Sequence, residues 1–326
     1  MKKSSWLILF TLVMSTMITL SANNWMSMWI GLEINLMSFV PMILSKNNKS
    51  SSESAMIYFL VQSMSSVSMM MMIMMKMYSL LNSMSIMNTT IMICLFMKMG
   101  VAPFHLWLPE IMAKMSWKKC IILMTWQKLA PMMMLSNLSN NSIMNMAILS
   151  CILIGSLGGI NQTSLRKMMG YSSINHLGWM LAINKSMNMW MIYFIIYSLL
   201  SSMICYNFMK YKMYFMNQLS MINLSKMEKI NMFFMMLSMG GMPPFIGFLP
   251  KWITIQYMIN QKEIFMMIIM IMFSLITLLY YSRIMINMII SSSMTIKWSM
   301  GSSKLSTLYF IMMNLSLPLI LVMNMF

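Results

Sequence analysis

Residues 98–110 read KMGVAPFHLWLPE and follow an unbroken apolar run, IMICLFM, at 91–97. A lysine, a glycine and two prolines are poor material for the middle of a membrane helix. Proline removes a backbone donor, and glycine costs conformational entropy. The interruption returns at 240–251 as GGMPPFIGFLPK. Gly100, Pro103, Phe104, Leu108 and Pro109 recur at the spacing of Gly241, Pro244, Phe245, Leu249 and Pro250, with Pro243 added in the later copy.

The surrounding composition is that of a membrane protein. Of 326 residues 60% are hydrophobic and 8% charged, with mean hydropathy +0.74; a soluble domain carries about 25% charged residues. All 5 acidic residues are glutamate. The 59 methionines exceed anything packing demands. An AT-rich mitochondrial genome that reads AUA as Met gives such an excess of Met, Asn, Ser and Lys, which points to synthesis inside a mitochondrion. The net charge of +17 is not a nucleic-acid footprint. Such footprints lie on one face of a soluble domain, interleaved with aromatics, whereas these lysines punctuate apolar spans. Cys94, Cys120, Cys151 and Cys205 form none of the close pairs that metal or redox motifs need, and two histidines are few for a metal site. The expectation is a chain with no metal and no redox centre of its own.

A membrane helix needs about 20 apolar residues. Charge clusters and Asn/Ser-rich breaks delimit spans near 5–22, 25–44, 54–75, 88–108, 120–136, 143–161, 170–184, 188–209, 230–258, 264–283 and 305–325. The expected fold is therefore all-α and polytopic, with about eleven transmembrane helices in a single membrane domain over 1–326. The first resembles a signal peptide, but no small-x-small pattern follows, so it is read as a retained span. Of the 22 Lys and Arg, only Lys76, Lys185 and Lys262 fall on the far side, Lys98, Lys128 and Lys251 fall inside spans, and the other sixteen share the side of the N-terminus. Positive charge concentrates on the inner side. The N-terminus is thus expected in the matrix and the C-terminus in the intermembrane space.

In this topology the two interrupted spans cross in opposite directions. The expectation is an inverted repeat, 25–161 with its broken helix near 88–108 and 170–283 with its broken helix near 230–258, followed by a last helix at 305–325. Inverted repeats with Gly/Pro-broken helices point to a transport site near the midplane. Freed backbone groups survive there only where protein or water satisfies them.

Charge inside the spans supplies the chemistry. Lys98 precedes the break at Gly100, Lys251 follows Pro250, Lys128 lies mid-span in TWQKLAP, and Glu33 is the one carboxylate well inside a span. Each charge at the bilayer centre costs about 2.5–3.5 kcal/mol. Burial opposes the charged form of a lysine and a nearby carboxylate favours it, so a lysine between these influences loads and releases protons. The expected row pairs Glu33 with Lys98, relays at Lys128 and exchanges with one surface at Lys251. The competing reading is an ion pair plus lysines that snorkel to the span ends, strongest for Lys251. His105 either bridges Lys98 and Lys128 or satisfies a freed carbonyl; His176 either lines the same path or packs.

At GLEIN (31–35), MKMGVAPFHLWLPE (97–110), TWQKLAP (125–131), GGINQTSLRKMMGYSSINHLGWM (158–180) and GGMPPFIGFLPKW (240–252) the chain resembles the chain 2 family of antiporter-like membrane subunits of mitochondrial NADH:ubiquinone oxidoreductase, respiratory complex I. The resemblance implies a charged axis at Glu33, Lys98, Lys128 and Lys251 that translocates protons across the mitochondrial inner membrane. It implies that NADH, FMN, iron–sulfur clusters and ubiquinone belong to other subunits. Its implied partners are neighbouring antiporter-like and small membrane-arm subunits, and phospholipids such as cardiolipin. It also implies a form shortened by three N-terminal helices relative to bacterial members. A stand-alone cation/proton antiporter is the alternative.

Overall fold

A computed structural model describes residues 3–44, 48–77, 84–138, 141–221, 225–293 and 304–317. Among them the chain forms α1 (Lys3–Ser21), α2 (Trp25–Ile43), α3 (Lys49–Met77), α4 (Met84–Met99), α5 (Trp107–Lys114), α6 (Trp117–Met124), α7 (Trp126–Ser136), α8 (Asn141–Ile160), α9 (Leu165–Ala182), α10 (Met187–Lys210), α11 (Met216–Met221), α12 (Lys226–Gly240), α13 (Phe248–Asn260), α14 (Ile264–Ser293) and α15 (Lys304–Asn314). The described residues contain no strand, only an isolated bridge between Ser164 and Phe215.

Length and apolarity alone suffice for a membrane crossing in five of these helices: α2, α3, α8, α10 and most of α14. The segments on either side of the interruptions are too short to cross singly. The expected span at 88–108 is α4 and α5 joined by non-helical residues 100–106, and that at 230–258 is α12 and α13 joined by 241–247. A third interruption was not expected. The span read as continuous over 120–136 divides at Thr125 into α6 and α7. No glycine or proline marks it: Thr125 departs from regular helix angles, at φ −107° and ψ −77°, while its N–H and its Oγ1 both still donate to the Ile121 carbonyl, at 3.0 and 2.7 Å. Pro131, the only breaker nearby, lies inside α7. The span ending near 283 continues to Ser293, α11 appears in a connection, and residues 318–325 of the last expected span lie outside the described set.

The centre of the bundle is α9, buried on nearly all sides. In lipid there is little hydrophobic drive between helices, so close packing and small residues bring them together. A Cβ on Gly155 of α8 would stand 2.6 Å from the Asn175 backbone nitrogen, and one on Gly178 of α9 would stand 2.7 Å from Ile152. These two glycines let α8 and α9 approach backbone to side chain. Serines on the spans turn their hydroxyls onto carbonyls of their own helix, as Ser65 does to Gln62 and Ser172 to Met169, and so need no outside partner.

Gly155→Ala therefore pushes α8 from α9 at the centre of the bundle. We expect a loss of about 1–3 kcal/mol, measured as a lower thermal midpoint of the detergent-solubilised protein. An unchanged midpoint contradicts the close approach.

Candidate functional site

The two long interruptions share one backbone geometry. Gly100 and Gly241 both take positive φ, 73° and 78°. In the first, Gly100 N–H donates to Met97, Val101 to Phe96, Phe104 to Val101 and Leu108 to His105; in the second, Gly241 donates to Ser238, Met242 to Leu237, Phe245 to Met242 and Leu249 to Ile246. The first two bonds of each set are those of a Schellman C-cap, which calls for a left-handed residue and hence glycine. At Gly241 glycine is required twice, since a Cβ there would meet the Lys251 side chain at 2.7–2.8 Å. Pro103, Pro243 and Pro244 lie in the linking segments, where they cannot continue a helix. Pro109 and Pro250 lie in the first turns of α5 and α13, where a missing N–H leaves no bond unmade.

The carbonyls freed at the helix ends are met by polar side chains. Gln62 Nε2 of α3 donates to the Lys98 carbonyl at 2.9 Å. Lys251 Nζ donates to the Gly240 carbonyl at 2.6 Å, and its ammonium stands 5.6 Å from the Trp179 ring. Residue Ala102 is held from both sides by α8: its N–H donates to Cys151 Sγ at 3.2 Å and its carbonyl accepts from Ser150 Oγ at 2.9 Å. Ile246 in the second linker donates its N–H to the Asn314 carbonyl of α15.

Lys98, Lys128 and Lys251 are all buried, at 6%, 2% and 4% exposure, so none of them snorkels to a surface of this chain. Between Lys98 and Lys128 lies a cavity of about 20 Å³ lined by Asn35, Tyr58, Gln62 and Gln127 among others. That is room for about one water. Asn35 Nδ2 donates to Gln127 Oε1 at 2.9 Å and Gln127 Nε2 donates to Asn35 Oδ1 at 3.1 Å. Beyond the cavity, Lys128 Nζ donates to the Ser173 carbonyl at 3.1 Å and stands 5.5 Å over the Tyr197 ring.

His176 follows, within electrostatic reach of both Lys128 and Lys251. Its Nδ1 is 2.8 Å from the Tyr193 hydroxyl and its ring reaches the Met239 carbonyl. The Tyr193 hydroxyl can donate to Nδ1 or accept from it, according to the tautomer of the ring. The order along the bundle is Lys98, cavity, Lys128, His176, Lys251.

Two residues behave differently from the rest. Glu33 is half-buried, and its charge reaches Lys98 without closing to an ion pair. Among the described residues the ion pairs are Lys114–Glu53, Lys114–Glu110 and Lys210–Glu228, all toward the lysine-rich face. There Lys114 is held above the usual lysine range by its hydrogen bonds to Glu110 and Glu53. His105 does not bridge two lysines: its Nδ1 is 3.1 Å from the Pro103 carbonyl, inside its own linker. Gln62, Ser150, Asn35 and Gln127 were not singled out in the sequence, and Cys151 was named only as one of four unpaired cysteines; the signal available was an amide, hydroxyl or thiol on an otherwise apolar span.

A sequence profile described as NADH:quinone oxidoreductase/Mrp antiporter, TM, matches residues 22–277. The chain belongs to this family. It is 46% identical over 295 residues to the NADH-ubiquinone oxidoreductase chain 2 of Anopheles gambiae, covering 87% of this chain and 86% of that one. It is 36% identical over 337 residues to the protein of the same name from Oryctolagus cuniculus, covering 96% of each. Its fold superposes on a chain of respiratory complex I from Thermus thermophilus with TM-score 0.84 at 16% identity, covering 97% of this chain and 78% of that one.

Lys251→Met removes the donor that meets the Gly240 carbonyl inside the bundle. The expected cost is about 1–3 kcal/mol, read as a lower thermal midpoint. A midpoint equal to that of the parent means the carbonyl has no need of the lysine.

Proposed function

We propose that this chain is a core membrane-arm subunit of a proton-pumping NADH:ubiquinone oxidoreductase, and that Glu33, Lys98, Lys128, His176 and Lys251 carry protons through it. In this reading NADH, FMN, iron–sulfur clusters and ubiquinone act in other subunits, and this chain contributes to translocation. The observation that supports it most is the row itself: three ammonium groups buried in one bundle, none in an ion pair with a carboxylate among the described residues, two of them at helix breaks. Charged side chains inside a membrane pair with one another or with backbone carbonyls, or snorkel, and those that stay inside mark ion pathways. These three stay inside, where carbonyls, aromatic faces and a water-sized cavity meet Lys98, Lys128 and Lys251 without a carboxylate partner among the described residues. A lysine in such surroundings changes its charge state when a neighbouring charge changes, so a proton at one position biases the next. Glu33 tunes Lys98 through its field, and His105 satisfies the break.

The chain is read in the mitochondrial inner membrane with its lysine-rich face to the matrix, and 25–161 and 170–283 as inverted halves. Its partners are the other membrane-arm subunits and phospholipids such as cardiolipin. A cavity of about 300 Å³ at the lysine-rich face is lined by Lys119 and Arg166, cations suited to a phosphate headgroup, and by Lys114, whose charge Glu53 and Glu110 already meet.

Lys128→Met, with the complex assembled, is expected to lower coupled NADH:quinone turnover and proton pumping by about tenfold or more. Full pumping in that variant sinks the relay. Glu33→Gln is expected to give a smaller loss in the same assay. The family also includes antiporters. Purified alone in liposomes, the chain is expected to show no cation/proton exchange, and sustained exchange there would favour the antiporter reading.

A further inference from the structure

The relay leaves open how Lys128 meets the lysine-rich face. We propose that three buried tyrosines, Tyr197, Tyr281 and Tyr280, form with water a column through which Lys128 exchanges protons with that face. The inference rests on the relay reading and names a route for it.

The column starts under Lys128, whose ammonium stands 5.5 Å over the Tyr197 ring of α10. Tyr197 lies within electrostatic reach of Tyr281 on α14. Tyr281 packs on Tyr280 with ring centroids 4.5 Å apart. Tyr280 lies against α8 where the chain is thinnest: a Cβ on Gly159 would meet its ring at 2.8 Å. Two residues beyond Gly159 the chain is exposed at Asn161, and one turn beyond Tyr280 exposed Arg283 donates to the Gln162 carbonyl. The far end of the column is therefore within a turn of the surface, at the α8–α9 connection.

The hydroxyls make the case for function. Tyr197, Tyr280 and Tyr281 are 2%, 2% and 1% exposed. The hydroxyls of Tyr197 and Tyr281 approach Ser173 and Ser172 of α9, and Tyr280 approaches Tyr281, but none makes a hydrogen bond of acceptable geometry. Buried polar groups are partnered by protein or water as a rule, and phenylalanine would fill the same space with no polar group to satisfy. Three such hydroxyls between a buried lysine and a polar surface are an arrangement for water. Each phenol takes a proton on its oxygen as it passes on its own, so none is left as phenolate, and one proton entering at the surface delivers one to Lys128.

The test uses the assembled complex in membrane vesicles, with Tyr280 and Tyr281 both changed to Phe. Coupled NADH:quinone turnover is expected to fall about tenfold at unchanged complex content, with a solvent deuterium isotope effect larger than the parent's, as proton entry becomes limiting. A purely packing role would not raise the isotope effect, because Phe keeps the rings. Tyr309→Phe, on an exposed position of α15, is the control expected to match the parent. If the double variant does not assemble, Tyr280→Phe alone is read the same way. Parental turnover and isotope effect in the tyrosine variants, while Lys128→Met is impaired, overturn the column and spare the relay. An unimpaired Lys128→Met overturns the relay itself.

Discussion

A carbonyl freed inside a bilayer must find a donor within the protein, because hydrocarbon offers none. This molecule breaks its helices at three places among the described residues and meets the consequence at each. At Gly100 and Gly241 a Schellman cap uses two carbonyls, and side chains take others: Gln62 at Lys98, Lys251 at Gly240, Ser150 at Ala102. At Thr125 the Ile121 carbonyl keeps its helical N–H bond and gains the threonine hydroxyl as a second donor, and the Thr125 carbonyl accepts from Lys128 N–H. Lys251 thus has two duties, since the group that closes a helix end is also the last ammonium of the row.

That double use explains why the row is polar but narrow. Donors that satisfy a break are drawn to it, and their own heads then need partners in turn. Asn35 and Gln127 satisfy each other beside the cavity between Lys98 and Lys128, and Tyr193 satisfies His176. Partners run out at several buried groups, the hydroxyls of Tyr197, Tyr280 and Tyr281 among them; at those three the proposed column assigns the demand to water.

The fold was legible in the sequence where a rule of backbone chemistry is absolute. Gly100 and Gly241 head a repeated string of five residues, and in the structure both take positive φ with matching hydrogen bonds. The break at Thr125 was not legible, because the bonds of the threonine's hydroxyl and N–H to Ile121 occur in unbroken helices too. At the site, Lys98, Lys128 and Lys251 stood out because charge is rare in apolar spans. Gln62, Cys151 and the tyrosines did not: their significance lies in neighbours tens of residues away. Sequence left the two roles of His105 open, and in the structure its Nδ1 stands 3.1 Å from the Pro103 carbonyl of its own linker. It also suggested a Glu33–Lys98 pair, where the structure has a charge acting at a distance.

The most direct test of the relay is the water itself. A structure of the assembled complex, at a resolution that shows ordered water, should reveal a water in the cavity between Lys98 and Lys128, with further polar or hydrated contacts through His176 to Lys251. A dry, apolar barrier between any two of these lysines, in every conformation the complex adopts during turnover, would contradict the account.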